Sequence, residues 1–338
     1  MGRYVIRRLL QFIPTVVGAF FLLHYMVSAG IQLRGNPARA FFGERTPSPE
    51  MLAAVKRLFN TDDPCLAQEG NPLHPFNPCL GLFVERMGNV AVGDFGTDYR
   101  GRLVTDIFLS AAPVTLRLAL IAILTEIGIG VLAGVLAGLR SGGFIDYVVK
   151  ISTVLAIAIP VFVLGRMVQL SIVPFARWLR DNGASDDVMG LVAVTYKLDY
   201  PWLSLVIPGI VLGVLGLATT ARLTRTSLME NLRADYVRTA TAKGMPQRRV
   251  IGVHTLRNSL IPVVTNLGYS FGVLLGGAVV TESIFNVPGI GGVVIRSVRF
   301  NEGPVVVSMV TILVIVYLVV NLIVDMLYAV LDPRIRYD

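Results

Sequence analysis

Three histidines, two cysteines and four lysines are spread through this 338-residue chain, and their spacing suits none of the common catalytic sets. His24, His74 and His254 stand far apart. No His-Glu-x-x-His pair and no Gly-x-Ser-x-Gly elbow occurs. A phosphate-binding loop needs Gly-Lys before Ser or Thr, and none of the lysines follows a glycine. "RSGGFID" at 140–146 contains Ser-Gly-Gly, part of an ATPase signature, but lacks the flanking Leu and Gln and reads as a turn. Cys65 and Cys79 enclose thirteen residues with no further ligands at metal spacing, which argues against zinc. The chain is expected to be no enzyme and to hold no metal. The residues left with something to do are charges in or near apolar runs: Arg117, Glu126, Arg166 and Asp325. A charge at mid-bilayer costs about 2.5–3.5 kcal/mol on insertion scales, so such groups face protein, water or each other. Arg117 and Asp325 lie near run ends, within reach of the interface. Glu126 and Arg166 lie deeper, on consecutive runs, and are expected to face a path or to pair. His24 reads as a hydrogen-bonded packing residue.

The elements that must position these residues are apolar. The chain is 54% hydrophobic and 15% charged, unlike a soluble domain. Six runs are long enough to cross a bilayer: Leu9–Ile31, Leu118–Leu139, Ile151–Phe175, Trp202–Ala221, Leu260–Thr281 and Val305–Val324. The first is too long, and lacks the small-residue site, for a cleavable signal. Pro14, Pro160 and Pro208 fall inside runs, which membrane helices tolerate. Orientation follows from Lys and Arg in the loops. With the N-terminus inside, residues 1–8, 140–150, 222–259 and 332–338 carry 15 basic against 5 acidic residues. Residues 32–112, 176–201 and 282–303 carry 13 against 15. The net charge of +8 is therefore a positive-inside bias and no nucleic-acid footprint. The expected fold is an all-α membrane protein with six transmembrane helices, N-in/C-in.

The segment 32–112 between the first two runs is extracytoplasmic in this orientation. "TPSPEMLAAVKRLFN" reads as a short amphipathic helix, capped by Ser48 and opened by Pro49. Cys65 and Cys79 follow in a turn-rich stretch. On an oxidising face a disulfide would close this loop; two independent thiols are the other reading.

The densest charge lies in the inner segment 222–259. Met229, Leu232, Tyr236 and Ala240 recur at helical spacing. Lys243 and Gly244 supply a basic last turn and a residue free to take the left-handed cap conformation. Pro246 opens a second helix, with Val250, Val253, Leu256 and Leu260 on one face. The expectation is helix, glycine elbow, helix. Small Ala240 and Ala242 would let a partner approach, with Arg238, Lys243, Arg248 and Arg249 as charges to recognise. Binding to anionic lipid headgroups would need the basic character but not the elbow.

This segment resembles the permease subunits of bacterial ABC importers, in the dipeptide/oligopeptide and nickel group. The resemblance rests on Tyr236-Val237-Arg238-Thr239-Ala240-Thr241-Ala242-Lys243-Gly244 followed by "HTLRNSLIP" (254–262). "MGRYVIRRLLQFIPTV", "GDFGTDY" (93–99), "PVTLRLAL" (113–120), "TESIFNVPGIGG" (281–292) and "VDMLYAVLDPRIRY" (324–337) extend it over nearly the whole chain. It implies a type I ABC importer permease: an N-terminal helix at 1–31, the outer loop 32–112, a transmembrane domain at 113–331 and a cytoplasmic tail at 332–338. It also implies that 222–259 is a coupling loop docking on an ATPase, with Asp235, Tyr236, Arg238, Thr239, Ala240, Lys243, Gly244 and Arg248 in it. Arg238-Thr239-Ala240 stands where the broader importer motif has Glu-Ala-Ala, so no salt bridge of that Glu carries over. The Cys65–Cys79 stretch looks like an insertion.

Further implications are a second homologous permease, two cytoplasmic ATPases holding ATP and Mg²⁺, and an extracytoplasmic substrate-binding protein. The chain itself would bind no cofactor, sit in a bacterial cell membrane among lipid, and pass di- or oligopeptides, with nickel or another small chelate as the alternative cargo. The stretch with Pro288, Gly289 and Gly291 reads as part of an outer gate or a contact for the binding protein, with an ordinary connector as the other reading. The competing reading is a self-contained secondary transporter or channel using Glu126 or His24. No inverted repeat between the first and last three runs supports it.

Overall fold

The computed structural model describes residues 2–34, 46–53, 78–98, 100–300 and 302–331. Cys65, His74 and the tail 332–338 lie outside them, so the Cys65–Cys79 pairing does too. Among the described residues the structure is helical, with one isolated β-bridge between Thr97 and Leu103. The chain forms two compact units: residues 1–113 with 292–319, and residues 114–291 with 320–338.

In the first unit α1 (Gly2–Arg34) continues past Pro14. α2 (Pro78–Ala91) packs on it. Phe20, Phe83 and Val307 form a small core, with Phe21, Leu80, Met87 and Val90 against it. The Phe20 and Phe83 rings lie 5.5 Å apart. At 49–53 a helix begins as its residues dictate: the Ser48 hydroxyl accepts from the Met51 N–H at 3.3 Å. The described residues 94–98 and 100–103 turn around buried Asp98. Its carboxylate accepts the backbone N–H groups of Arg100 and Arg102, each at 2.8 Å, and the Arg102 guanidinium. Burial raises the pKa of this carboxyl, but these donors outweigh it and hold it below the usual range.

α3 (Val104–Thr125), a π-helical turn (Glu126–Val131) and α4 (Leu132–Leu139) make one 36-residue apolar rod. α3 begins at Val104, so the expected boundary at 112/113 falls inside a helix. α5 (Phe144–Ala158) and α6 (Val161–Asp181) follow. They correct the expected continuous run Ile151–Phe175. Pro160 removes a donor and forces Ile159 into extended backbone (φ −89°, ψ 117°), ending the helix there. α7 (Asp186–Leu191) leads to α8 (Val206–Leu232), where Pro208 sits harmlessly in the first turn.

α9 (Asp235–Ala242) is followed by α10 (Gln247–Arg249), a second π-helical turn (Val250–Thr255) and α11 (Leu256–Ser259). α12 (Ile261–Ile284) continues after a 44° bend. α13 (Ile290–Arg299) and α14 (Gly303–Leu331) complete the chain.

Among the described residues four helical segments are long and apolar enough to cross a membrane: Val104–Leu139, Val161–Asp181, Leu203–Leu232 and Val305–Met326. The bent pair around Leu260 makes a fifth, and α1 holds a shorter apolar stretch, Leu10–Met26.

The second unit has its core where α3, α8 and α12 meet, built on Leu118, Ala122, Leu205, Leu212, Leu274, Ala278 and Phe285. Glycines bring the helices together. A Cβ on Gly209 would stand 2.5 Å from the Ile121 side chain, and one on Gly213 2.6 Å from the Ala122 carbonyl oxygen. Gly130, Gly134 and Gly138 present the same bare stripe of α4 and its preceding turn to Thr220, Ala221, Thr224 and Leu228 of α8. Close backbone approach through small residues is how helices associate in lipid, where no hydrophobic drive separates one apolar surface from another.

Candidate functional site

The basic segment 222–259 folds as helix, elbow, helix, though the first helix is shorter than its periodicity suggests. α8 ends at Leu232, and Arg233 and Ala234 turn the chain before α9 begins. α9 closes in a Schellman arrangement: the Gly244 N–H donates to the Thr241 carbonyl at 3.0 Å and the Met245 N–H to the Ala240 carbonyl at 3.3 Å. Gly244 has φ +75°, the left-handed conformation that glycine adopts without penalty. Met245 then packs on a small core of Val237, Ala240 and Val250. This core fixes the angle between the two arms and leaves an open cleft lined by Leu232, Val237, Arg238, Thr241, Ala242, Gln247, Val250 and Ile251.

Of the residues assigned to coupling, Asp235, Tyr236, Arg238, Thr239, Lys243, Gly244 and Arg248 are exposed, and Ala240 is buried. Two expectations change. Met229, Leu232, Tyr236 and Ala240 share no continuous helix, because the turn at Arg233–Ala234 resets the phase. The buried face of α9 is Val237 and Ala240, so Ala240 packs inward on Val250 and only Ala242 stays open to an approaching surface. In the second arm Val250 is buried but Val253 is exposed, since the π-helical turn shifts the register by one residue. Tyr236 donates its hydroxyl to Asn231 Oδ1 at 2.5 Å, tying α9 back to the last turn of α8. Arg238 and Asp235 approach at 3.6 Å with both side chains exposed, a pair of little energetic weight.

Glu126 is fully buried. It opens the π-helical turn and accepts the Thr220 hydroxyl of α8 and the Ser270 hydroxyl of α12, both at 2.6 Å. The Asn266 amide donates in turn to Thr220 Oγ1 at 3.2 Å. Gly216 makes room, since a Cβ there would stand 2.1 Å from Glu126 Oε2. One carboxylate thus joins three helices. Arg166 is not its partner: it donates to Gln169 Oε1 on its own helix at 2.9 Å, and Gln169 donates to the Ile284 carbonyl. The structure does not bring Glu126 and Arg166 together.

The turn after α12 holds the third group. Asn286 takes φ +49°, and the Val287 N–H donates to the Glu282 carbonyl at 2.9 Å, again a Schellman closure. Gly289 and Gly291 are required by contact: a Cβ at either would collide with Glu282 or with the Val279 backbone. Pro288, just before them, is exposed. The buried Glu282 carboxylate accepts the Thr115 hydroxyl at 2.6 Å, and Thr115 Oγ1 accepts the Ile290 N–H at 2.9 Å.

The remaining charges have local partners. The Arg117 guanidinium lies over the Trp202 ring, 5.7 Å from its centroid, and Asp325 accepts the Tyr269 hydroxyl at 2.6 Å. His24 is buried, with Cys79 Sγ 3.6 Å from Nε2 and Arg86 Nη1 3.1 Å from Nδ1.

Reading the sequence overlooked two features. Gly130, Gly134 and Gly138 recur every four residues, a small-residue stripe that the spacing alone displays. The second is the buried ion pair of Asp146 with Arg225, 79 residues apart, which no local pattern announces.

Residues 130–337 match the family of binding-protein-dependent transport system inner membrane components. The match includes the Gly244 elbow and the turn after α12. The chain is 33% identical over its full length, and over the full length of the relative, to the dipeptide transport system permease protein DppB of Alkalihalophilus pseudofirmus. It is 34% identical, with the same complete coverage, to the di/tripeptide transport system permease protein DppB of Pseudomonas aeruginosa. The glutathione transport system permease protein GsiC of Escherichia coli is 32% identical, again over the whole of both chains. An all-helical, multi-pass chain with this matched region and these full-length relatives belongs to the family of binding-protein-dependent transport system inner membrane components.

Proposed function

We propose that this chain is one permease subunit of an ATP-driven importer of small peptides. It crosses the membrane six times with both termini inside. It forms half of a translocation path with a homologous permease, and couples that path to two ATPase subunits through residues 222–259. ATP and Mg²⁺ bind on the ATPases and not on this chain. An extracytoplasmic binding protein delivers the cargo, and the turn around Pro288, Gly289 and Gly291 belongs to the outer gate. Peptides are favoured over nickel or another chelate because the relatives at 33% and 34% identity carry dipeptide and di/tripeptide transport in their names.

The observation that carries the reading is the elbow at Gly244. Its two arms are locked by Val237, Ala240, Met245 and Val250, while seven polar, charged or glycine positions face outward. A loop merely lying on headgroups needs no such rigid angle. A rigid exposed hook suits a groove on another protein, and ATP-driven closure of the two ATPases would pull on it. Tilting of α8 and α12, which flank the hook, would then open the path.

The test is to purify the chain, tagged at its C-terminus, from native membranes in mild detergent, and to identify what accompanies it by mass spectrometry. ATPase subunits and a second permease should co-purify. A Gly244→Val variant should lose the ATPases and keep the permease. A chain that emerges alone, or only with copies of itself, refutes the reading.

A further inference from the structure

Asp146, in the first turn of α5, is fully buried, and its carboxylate is surrounded by donors. Arg225 of α8 grips it with Nε on Oδ1 and Nη2 on Oδ2, the latter at 2.9 Å. The Gly142 N–H donates to Oδ2 at 2.8 Å, and Lys150 Nζ lies 3.0 Å from the same oxygen. Gly142 has φ +79°, so the turn 140–143 is wound around this carboxylate.

Such a pair adds little stability over apolar side chains of the same volume, because desolvating two charges offsets their attraction. What it adds is geometry. A guanidinium fork and a carboxylate meet in one orientation, whereas apolar helix faces can slide past each other. The location makes that orientation consequential. Arg225 lies two turns before α8 ends at Leu232, and Asp235 of the hook follows three residues later. One turn along, Gly138 of α4 seats Leu228, and its missing Cβ would stand 3.3 Å from the Arg225 carbonyl oxygen. Both helices that flank the 140–143 turn are therefore clasped to the last turns of α8.

We infer that Asp146 is a positioning residue of transport: through Arg225 it makes the α4–α5 turn move as one body with the end of α8, so that displacement of the hook reaches α4 and α5. The inference rests on the coupling role proposed for 222–259. It concerns a fully buried residue outside that segment.

The experiment reconstitutes the complete importer in liposomes and measures uptake of radiolabelled Ala-Ala and ATP hydrolysis in the same vesicles. The readout is ATP hydrolysed per peptide moved. Asp146→Asn should assemble and raise that ratio roughly 2- to 30-fold, the range over which residues remote from both sites modulate coupling. Arg225→Lys keeps the charge but loses the fork, and should raise the ratio by less. Asp146→Asn with Arg225→Lys should be no worse than the worse single change, because both disable one contact. If Asp146→Asn fails to assemble, Arg225→Lys decides. A wild-type ratio in the variants that assemble overturns the inference, even where yield or melting temperature falls. A wild-type chain that recruits no ATPase overturns the importer reading instead.

Discussion

Gly134 of α4 lies so close to Thr224 of α8 that a Cβ on the glycine would stand 2.5 Å from the threonine Cβ and 2.6 Å from the Ala221 carbonyl oxygen. The neighbour on one side is backbone, which cannot swing away. Gly128, a turn and a half earlier, has nothing within 4 Å of its would-be Cβ. Gly134→Leu should therefore destabilise the detergent-solubilised protein by about 1–3 kcal/mol or more, the usual cost of overpacking. Gly128→Ala should leave the melting temperature near that of the wild type. Thermal unfolding followed by size-exclusion fluorescence measures both.

Gly244 poses the opposite case. No atom crowds its would-be Cβ, yet its φ is +75°. Substitution there acts through backbone conformation alone. Gly244→Val should cost about 1–2 kcal/mol in the elbow and sharply reduce uptake. Gly244→Asn, whose side chain tolerates the left-handed region, should retain more uptake than the valine variant. Equal loss in both would point to a required bare surface instead of a required φ.

Glu126 holds two hydroxyls on two helices. Glu126→Gln keeps a carbonyl acceptor for one of them, and Glu126→Leu for neither. Each orphaned buried group costs about 1–3 kcal/mol. The leucine variant should be the less stable of the two by thermal unfolding. Because Arg166 bonds to Gln169, exchanging the charges of Glu126 and Arg166 should give no recovery over the single changes in an uptake assay.

The Asp146 carboxyl is held well below the ordinary carboxylate range, first by the hydrogen bond from Arg225, against the opposing cost of burial, then by Gly142 and Lys150. A depressed folded-state pKa means that the stabilisation is fully present above the ordinary carboxylate value and fades only as pH falls toward the depressed one. The difference in unfolding free energy between wild type and Asp146→Asn should accordingly stay constant from about pH 5 to 8, where the carboxylate is ionised folded or unfolded. A growing advantage of the variant on acidification within that window would show that Asp146 takes up a proton there.

The long apolar runs by themselves determined that this is a helical membrane protein, since in lipid a backbone must satisfy its own hydrogen bonds and a helix does so within one segment. Lys243-Gly244 and Pro246 marked the elbow for an equally local reason: a positive φ and a missing N–H are properties of single residues. The Gly130, Gly134 and Gly138 stripe was also written in the spacing, though only its neighbour α8 gave it a meaning.

What the tertiary structure decided were the partners. Glu126 could be placed at depth from the sequence, but its choice of Thr220 and Ser270 over Arg166 depends on how three helices are rotated about their axes. The π-helical turn at 126–131 shifts that rotation in a way that no 3.6-residue count anticipates. The break at Ile159–Pro160 moved Arg166 from the middle of an expected run into the second turn of α6. Asp146 and Arg225 are joined across 79 residues because Gly138 lets α4 lie down on α8. Periodicity within one helix fixes which face is apolar; only packing against the next helix fixes which atoms meet.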